Sequence, residues 1–338
     1  MTLRPAWVAV AMAGLAAVAC SKKEDVVVAA ADQVHVTDAD IDRDPVALLP
    51  GAAIGVVHVD APAYFGSGFG QQVQQLAQAR LPLPPSANFV PQRDLSGLYV
   101  GLYSMEGANV AGVATGTFDT AAIERAADGT TMTPLGAPLV KTTYARRTLY
   151  VSRNVGFAVL TAHTALFGDE TGIRRALDRL SEGRAKHETA AWVDQLLATP
   201  NAATAGAFDF TQGAQIGAVV KNFPFMQNVQ TAKIVGNFQP PGMNFAGTLS
   251  YPDPATAQNA CQSIQQMSST VQNYSFFLQL AGIGNPIQKL DTQPNGNDAQ
   301  FVLGVDSRTV QWLLNLLAAQ LGATSASTAT PIMIQGRQ

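Results

Sequence analysis

The sequence has little of the chemistry that most enzymes and metalloproteins use. Its 338 residues include only 2 cysteines, 4 histidines and 3 tryptophans, and charged residues make up 13% of the chain. No His, Cys or Glu residues recur at the spacing of a metal site. The sequence also lacks a G-x-S-x-G turn, an H-E-x-x-H helix and a P-loop lysine. We therefore predict no catalytic residues, no metal and no cofactor, and a protein that is not an enzyme.

The chain also lacks a strong charge of either sign. Its formal net charge of −3 gives no basic field that would attract a phosphate backbone, which excludes nucleic acid as a partner. Residues 201–338 contain no glutamate, and residues 254–288 carry no charge at all. Glutamines take the polar positions there. This pattern indicates either a surface solvated by amides, or one that meets another protein or a lipid, where amides cost less to desolvate than charges.

The apolar run at the N-terminus is too short to be a membrane span. Ala6 to Ala19 follows the single cation Arg4 and has fewer than the roughly 18 residues that a spanning helix needs. A run of this length that ends in small residues is typical of an export signal. We predict a signal peptide over residues 1–19 and a mature protein that works outside the cytoplasm.

The end of this signal allows two kinds of processing. Ala17-Val18-Ala19-Cys20 resembles the lipobox of bacterial lipoprotein precursors, in which the cysteine becomes the first mature residue and carries acyl chains. The resemblance covers the N-terminus, and Ala17 stands where the family normally has leucine. The same residues satisfy the A-x-A rule, which would release a soluble secreted protein. Lipidation at Cys20 is favoured, because a rare cysteine falls where that chemistry needs it.

The resemblance also implies a location. A residue such as Ser21 after the cysteine, rather than aspartate, is the outer-membrane type in such lipoproteins. It implies a lipid-anchored protein of the cell envelope, on the outer membrane and facing the periplasm of a Gram-negative bacterium. The membrane, reached through the N-terminal acyl chains, is then the first expected partner.

The residues after Cys20 are predicted to form a flexible acidic tether over residues 20–50. The aspartates at positions 38, 40, 42 and 44 begin like a calcium loop, but Arg43 and Leu49 stand where that loop needs glycine and glutamate. A charged linker is the better interpretation. At the other end, the small residues of 323–338 predict a flexible C-terminal tail.

Between these ends, one pattern of strands and helices occurs twice. Predicted hairpins over residues 97–118 and 232–251 each lead into a helix that an aspartate can cap. The capping aspartates keep nearly constant spacing, 134 residues for Asp119 and Asp253 and 137 residues for Asp169 and Asp306. We predict an α+β fold with two copies of a β-α-β-β-α-β(β)-α unit, forming antiparallel sheets with helices packed on one face.

The predicted organisation follows from this spacing. It comprises a first α+β repeat (51–185), a helical bridge (186–202) and a second α+β repeat (203–322). The sequence leaves open whether the repeats form separate domains or one continuous sheet.

The layout resembles that of uncharacterised predicted lipoproteins and favours a non-catalytic binding or structural role. Another envelope protein, meeting the charge-poor second repeat, is the second expected partner. One alternative is a carrier of an apolar or lipid ligand, held in a cavity between sheet and helices and lined by residues 274–278. A further alternative is a hydrolase that uses His58 and Asp60, which share one face of a predicted strand. Cys261, on the apolar face of a predicted helix, is expected to be a buried structural thiol.

Overall fold

A computed structural model describes residues 36–103, 110–211, 223–239, 242–273, 287–312 and 314–315. The predicted signal peptide, Cys20, residues 274–278 and the predicted tail lie outside the described residues. Within them the chain forms an α+β fold in which twelve strands share a single sheet.

The elements are numbered in chain order. The strands are β1 (Gly55–Asp60), β2 (Leu95–Leu102), β3 (Val110–Gly116), β4 (Val140–Tyr144), β5 (Arg147–Ser152), β6 (Val155–Val159), β7 (Thr164–Asp169), β8 (Thr204–Asp209), β9 (Thr231–Gln239), β10 (Gly242–Ser250), β11 (Ile287–Asn295) and β12 (Asp298–Asp306). The α-helices are α1 (Asp38–Arg43), α2 (Ala61–Gly66), α3 (Gly70–Arg80), α4 (Pro91–Asp94), α5 (Thr120–Ala126), α6 (Glu170–Ser181), α7 (Ala191–Leu197) and α8 (Pro254–Asn273). Short 3-10 helices cover Pro45–Leu48, Pro85–Ala87 and Pro224–Met226, and residues 307–312 are helical.

The sheet is continuous from one end of the fold to the other. Its strand order is β11-β12-β10-β9-β8-β1-β2-β3-β7-β6-β5-β4, and neighbouring strands run antiparallel. At its centre β1 pairs with β8, with His58 opposite Ala205. We call β1–β7 the first half and β8–β12 the second half. The question left open by the sequence is therefore answered: the two halves share one sheet.

Helices cover both faces of this sheet, so the prediction of helices on one face is wrong. In the first half, Val113 joins the buried cluster that contains Ile173 of α6, whereas the next residue, Ala114, joins the cluster that contains Ile123 of α5. Successive strand residues point to opposite faces. The physical reason lies in β3, whose residues 110–114 are apolar without alternation, so that both faces need cover.

The second half repeats this two-sided burial. Ala207 of β8 belongs to the cluster that includes Val193 of α7. Its neighbour Phe208 packs on the opposite face, against the cluster that includes Ile264 of α8. The two faces of β8 are thus covered by different helices.

The predicted hairpins and helix caps are present. The hairpins are β2–β3 and β9–β10. Four aspartate side chains accept a hydrogen bond from a backbone N–H three residues later: Asp119 from Ala122 (2.9 Å), Asp169 from Gly172 (2.8 Å), Asp253 from Thr256 (2.8 Å) and Asp306 from Thr309 (2.6 Å). These bonds satisfy donors that the first helical turn leaves free. Asp169 also accepts a hydrogen bond from the N–H of Val110 (2.8 Å), which fastens the start of α6 to β3.

The flexible tether predicted over residues 20–50 is wrong for residues 38–49. Ile41 in α1 and Leu48 in the following 3-10 helix are 1% and 4% exposed, and both belong to the main core. The carboxylate of Asp42 accepts hydrogen bonds from the hydroxyls of Thr161 (2.5 Å) and Thr164 (2.7 Å). The run of aspartates predicts a linker, although Ile41 and Leu48 within this segment are buried. Asp42 finds its hydrogen-bond partners more than a hundred residues later in the chain.

Candidate functional site

An apolar groove of about 560 Å³ lies between α8 and the second half of the sheet. Strands β8, β9, β10, β11 and β12 form its floor, α8 lies over it, and the 3-10 helix Pro224–Met226 lies alongside. The apolar lining residues are Phe208, Phe210, Phe225, Met226, Ala232, Ile234, Leu249, Ile264, Met267, Ile287, Leu290, Phe301, Leu303 and Val305. Lys233 and Thr309 complete the described lining.

The sequence of α8 explains which of its sides faces the groove. Ala257, Ala260, Cys261 and Ile264 recur at helical spacing and are at most 5% exposed, and Met267 continues this side of the helix into the groove. The described glutamines lie on the other side and are exposed: Gln258, Gln262, Gln265 and Gln266. The uncharged polar positions of α8 therefore lie on its exposed side.

Alternation along β12 gives the groove its floor. Phe301, Leu303 and Val305 line the groove, while Val302 between them lies on the opposite face with 41% of its surface exposed. Neighbouring residues of one strand thus meet different environments. Val302 can therefore serve as a control position outside the groove for a substitution at Leu303 inside it.

His58 and Asp60 share one face of β1, as the sequence predicts. The ring of His58 lies on Tyr99, with ring centroids 4.7 Å apart and planes tilted by 31°. Burial lowers the pKa of His58, and the negative charge of Asp60 partly opposes that shift. The Asp60 carboxylate accepts a hydrogen bond from the N–H of Ala63 (2.7 Å) and caps α2. Asp60 thus caps α2, and the ring of His58 packs against Tyr99.

Two further observations concern possible metal ligands and the thiol of Cys261. Within the part of the chain that the structure describes, no three His, Cys, Asp or Glu side chains lie close enough together to hold a metal ion. Cys261 is a buried free thiol, and burial raises its pKa, which keeps it in the unreactive protonated form.

A histidine that the sequence did not single out lies in a larger polar cluster. His187 Nδ1 is 2.7 Å from Asp44 Oδ2, and His187 Nε2 is 2.8 Å from Asp194 Oδ1. The Thr189 hydroxyl donates a hydrogen bond to Asp194 (2.5 Å). The cluster links the segment after α1 to α7. Asp44 and His187 are 143 residues apart in the chain, so no local spacing in the sequence indicates their contact.

The geometry of this cluster suits a protonated histidine. An imidazolium has two N–H donors, one for each carboxylate, whereas neutral imidazole has only one. Burial lowers the pKa of His187, but hydrogen bonds to Asp194 and Asp44 and the charges of these carboxylates outweigh burial, so that the pKa is raised. The cluster therefore holds a proton more tightly in the folded than in the unfolded chain.

We expect this cluster to stabilise the fold at low pH and to contribute less as the pH rises. Because the folded pKa lies above the unfolded value near 6.5, the contribution is complete below about pH 6.5 and is lost as pH rises through the folded pKa. The side chains are more than a third exposed, so the effect is about 0.5–1 kcal/mol after solvent screening. Urea unfolding of wild type and His187→Gln across this pH range measures it.

The carboxylates provide the control for that measurement. The double variant Asp44→Asn with Asp194→Asn keeps the histidine but removes the charges that raise its pKa. It should lose the stabilisation at low pH, as His187→Gln does, and because burial alone then acts on the histidine, its stability should rise slightly with pH. A stability difference between wild type and His187→Gln that stays constant with pH would contradict the assignment.

Comparison with known proteins gives likeness of fold only. No protein-family model matches the chain, and no match was found among curated proteins. Among solved structures the chain is similar to crystal form I of TP0453, with a TM-score of 0.51 and 11% identity over 82% of this chain and 97% of that chain. Crystal form III of the same protein gives a TM-score of 0.49 and 9% identity, with the same coverage. The shared property is the α+β architecture over most of the chain.

In the described residues, no helix combines the length and the apolar character that a membrane span requires.

Proposed function

We propose that this protein is a lipid-anchored lipoprotein of the bacterial cell envelope whose body binds an apolar ligand in the groove beneath α8. The groove is the observation that carries the proposal. Its volume of about 560 Å³ falls within the range of roughly 300–1,000 Å³ that small-molecule sites occupy. The carrier hypothesis requires a cavity of this kind, between sheet and helices and with apolar walls.

The anchor is proposed from the sequence of the signal. Acylation of Cys20 by several chains would hold the protein to a membrane far better than one chain could, because each buried methylene adds to the affinity. The segment from Cys20 to the first described residue, Val36, can span at most about 55 Å when fully extended. The groove would then work close to the membrane, which is also the nearest source of apolar ligands.

The location proposed with the anchor is the outer membrane, facing the periplasm of a Gram-negative bacterium. Ser21 after Cys20 supports it through the lipoprotein resemblance. Cleavage after Ala17-Val18-Ala19 by the ordinary rule would instead give a secreted soluble protein. Both routes place the groove outside the cytoplasm.

Binding rather than catalysis is proposed because of what lines the groove. Thr309 is the hydroxyl-bearing side chain of the described lining, and its backbone N–H is already bonded to Asp306. The described walls bring no histidine or carboxylate into the groove. General acid–base chemistry needs such groups within hydrogen-bond reach of a substrate.

The two halves are proposed to be copies of one unit. Going outwards from the central β1–β8 pair, the order is β1-β2-β3-β7 on one side and β8-β9-β10-β12 on the other. In both halves an aspartate at the end of the last of these strands bonds the N–H three residues later. The hairpin β4–β5 then extends the first half beyond the common plan.

A second partner, another envelope protein, is supported by exposed apolar residues in the charge-poor second half. Val302 and Trp312 are 41% and 39% exposed, respectively. Val302 lies on the sheet face away from the groove, so this contact and ligand binding could coexist.

The binding proposal is tested with the soluble form of the Cys20→Ser chain, from which the signal peptide has been removed. This form carries no acyl chain and needs no detergent that would compete for the groove. The uncharged fluorophore N-phenyl-1-naphthylamine should bind saturably at one site, with the blue-shifted emission of an apolar environment. Solvent extraction of the freshly purified protein, followed by mass spectrometry, should recover a bound lipid. Absence of both signals would reject the proposed function.

A further inference from the structure

The charged residue that borders the groove on β9 faces away from it. Lys233 lies between Ala232 and Ile234, which both line the groove. Its ammonium group is 4.9 Å from the ring centroid of Trp192, which packs with α7 on the other face of the sheet. Alternation of side chains along the strand therefore means that Lys233 contributes no charge to the groove.

The charges of β11 and β8 follow the same rule. Lys289 and Asp291 lie on either side of the lining residue Leu290, and their side chains form an ion pair at 2.9 Å. Lys289 pairs with Gly304, which alternates with the lining residues of β12, so this ion pair lies on the far face. Asp209 follows the lining residue Phe208 and accepts a hydrogen bond from the hydroxyl of Thr211 (2.6 Å).

The helix over the groove adds no charge. Residues 254–273 contain no Lys, Arg, Asp or Glu, and the described residues of α8 that line the groove are Ile264 and Met267. Arg308 is exposed and adjoins the lining residue Thr309, so it is, with Lys233 and Lys289, one of the described cations next in sequence to lining residues. Five strands and a helix thus enclose a groove whose described walls present no ionised group.

We propose that the groove selects electrically neutral lipids, such as a long-chain ester, a fatty alcohol or a neutral glyceride, over lipids with an anionic head. This inference rests on the proposed function, because it specifies the ligand of the same groove. An alkyl chain gains free energy with each methylene transferred from water to the apolar walls. A carboxylate or phosphate drawn in with the chain loses its hydration and finds no cation there, which is strongly unfavourable.

Competition between ligands of equal chain length tests the selection. The competitors are methyl palmitate, hexadecanol and palmitate. Each is delivered from cyclodextrin below the concentration at which it aggregates, and its displacement of N-phenyl-1-naphthylamine from the Cys20→Ser chain is measured. We expect the two neutral ligands to bind about tenfold or more tightly than ionised palmitate. The affinity for palmitate should rise as the pH is lowered towards the pKa of its carboxyl group, because the protonated acid is the form that fits.

The outcomes separate this inference from the proposed function. Saturable probe binding with palmitate equal to or better than methyl palmitate would overturn neutral selection and leave the binding function intact. A lack of probe binding would instead reject the function itself. Arg308→Gln tests one of the described cations next in sequence to the lining. We expect changes within about twofold for every ligand, and a selective tenfold loss for palmitate would also overturn the inference.

A cation placed in the groove should reverse the preference. Met267→Lys puts an ammonium group on the groove side of α8 and is expected to make palmitate the better ligand relative to methyl palmitate. Gln266→Lys adds the same charge one residue away on the exposed side and should leave the order unchanged. An unchanged order in a folded Met267→Lys variant would contradict the proposal.

Discussion

Replacing Leu303 by tryptophan is expected to lower the affinity of the groove for a neutral probe by about tenfold or more. Leu303 lines the groove floor between Phe301 and Val305, and its side chain is only partly buried, so the larger indole extends into the space that the ligand would occupy. Losing room for a few methylenes costs about 0.8 kcal/mol for each, and two of them are enough for a tenfold change. Fluorescence titration with N-phenyl-1-naphthylamine measures the loss.

Val302→Trp is the matched control for this change. Val302 precedes Leu303 on the same strand but lies on the opposite face, where it is 41% exposed. The control introduces the same side chain into β12 without filling the groove, so probe affinity should stay within about twofold of wild type. Equal affinities for the two variants, both folded by circular dichroism, would show that the probe binds elsewhere.

Replacing Cys20 by serine is expected to remove the lipid, so that essentially all of the protein is recovered either as a soluble mature form or as an unprocessed precursor that keeps its signal peptide. Serine cannot take the thioether-linked lipid that the lipobox resemblance implies, so the variant lacks the acyl chains that hold the protein. Fractionation of cells with an alkaline wash of the membranes, together with the mass of the mature N-terminus, provides the measurement.

Cys261→Ser controls for the loss of a thiol as such. Cys261 is buried on the inner side of α8 and so is not available to an acyltransferase. This variant should remain in the membrane fraction. A Cys20→Ser protein that has lost its signal peptide and still stays in that fraction at the wild-type level would reject the anchor.

The elements that the sequence predicts well are those with a local physical cause. Asp119, Asp169, Asp253 and Asp306 each precede an apolar periodicity, and each forms the predicted bond to the backbone. The hairpins β2–β3 and β9–β10 follow from turn residues between apolar strands. Helix caps and tight turns are determined by a few consecutive residues, so they can be predicted from the sequence alone.

The properties that escaped prediction depend on residues far apart in the chain. Nothing local to β1 or β8 reveals that these strands pair and join both halves into one sheet. The sequence likewise gives no sign that Asp44 meets His187. The run of aspartates before residue 50 predicts a flexible linker. The core that buries Ile41 is formed by strands far away in the sequence, so the run of aspartates gives no sign of it.

The groove could be predicted from the sequence only in part. The charge-free stretch over residues 254–288 is visible in the sequence, and one alternative predicted from the sequence is a cavity lined by residues 274–278. The location and volume of the groove depend on how far α8 lies from the sheet, which is set by packing across the whole second half. The face on which Lys233 lies follows from strand register, and register is a property of the assembled sheet.

The central pairing of β1 with β8 also constrains the order of folding. The Thr204 hydroxyl donates a hydrogen bond to the carbonyl of His58, 146 residues earlier in the chain. Contacts this distant are slow to form, because a large loop must close before the pairing contributes any stability. Until β8 arrives, the edge of β1 is an unpaired template that other chains could join. We therefore expect the refolding yield of the chain to fall as its concentration rises.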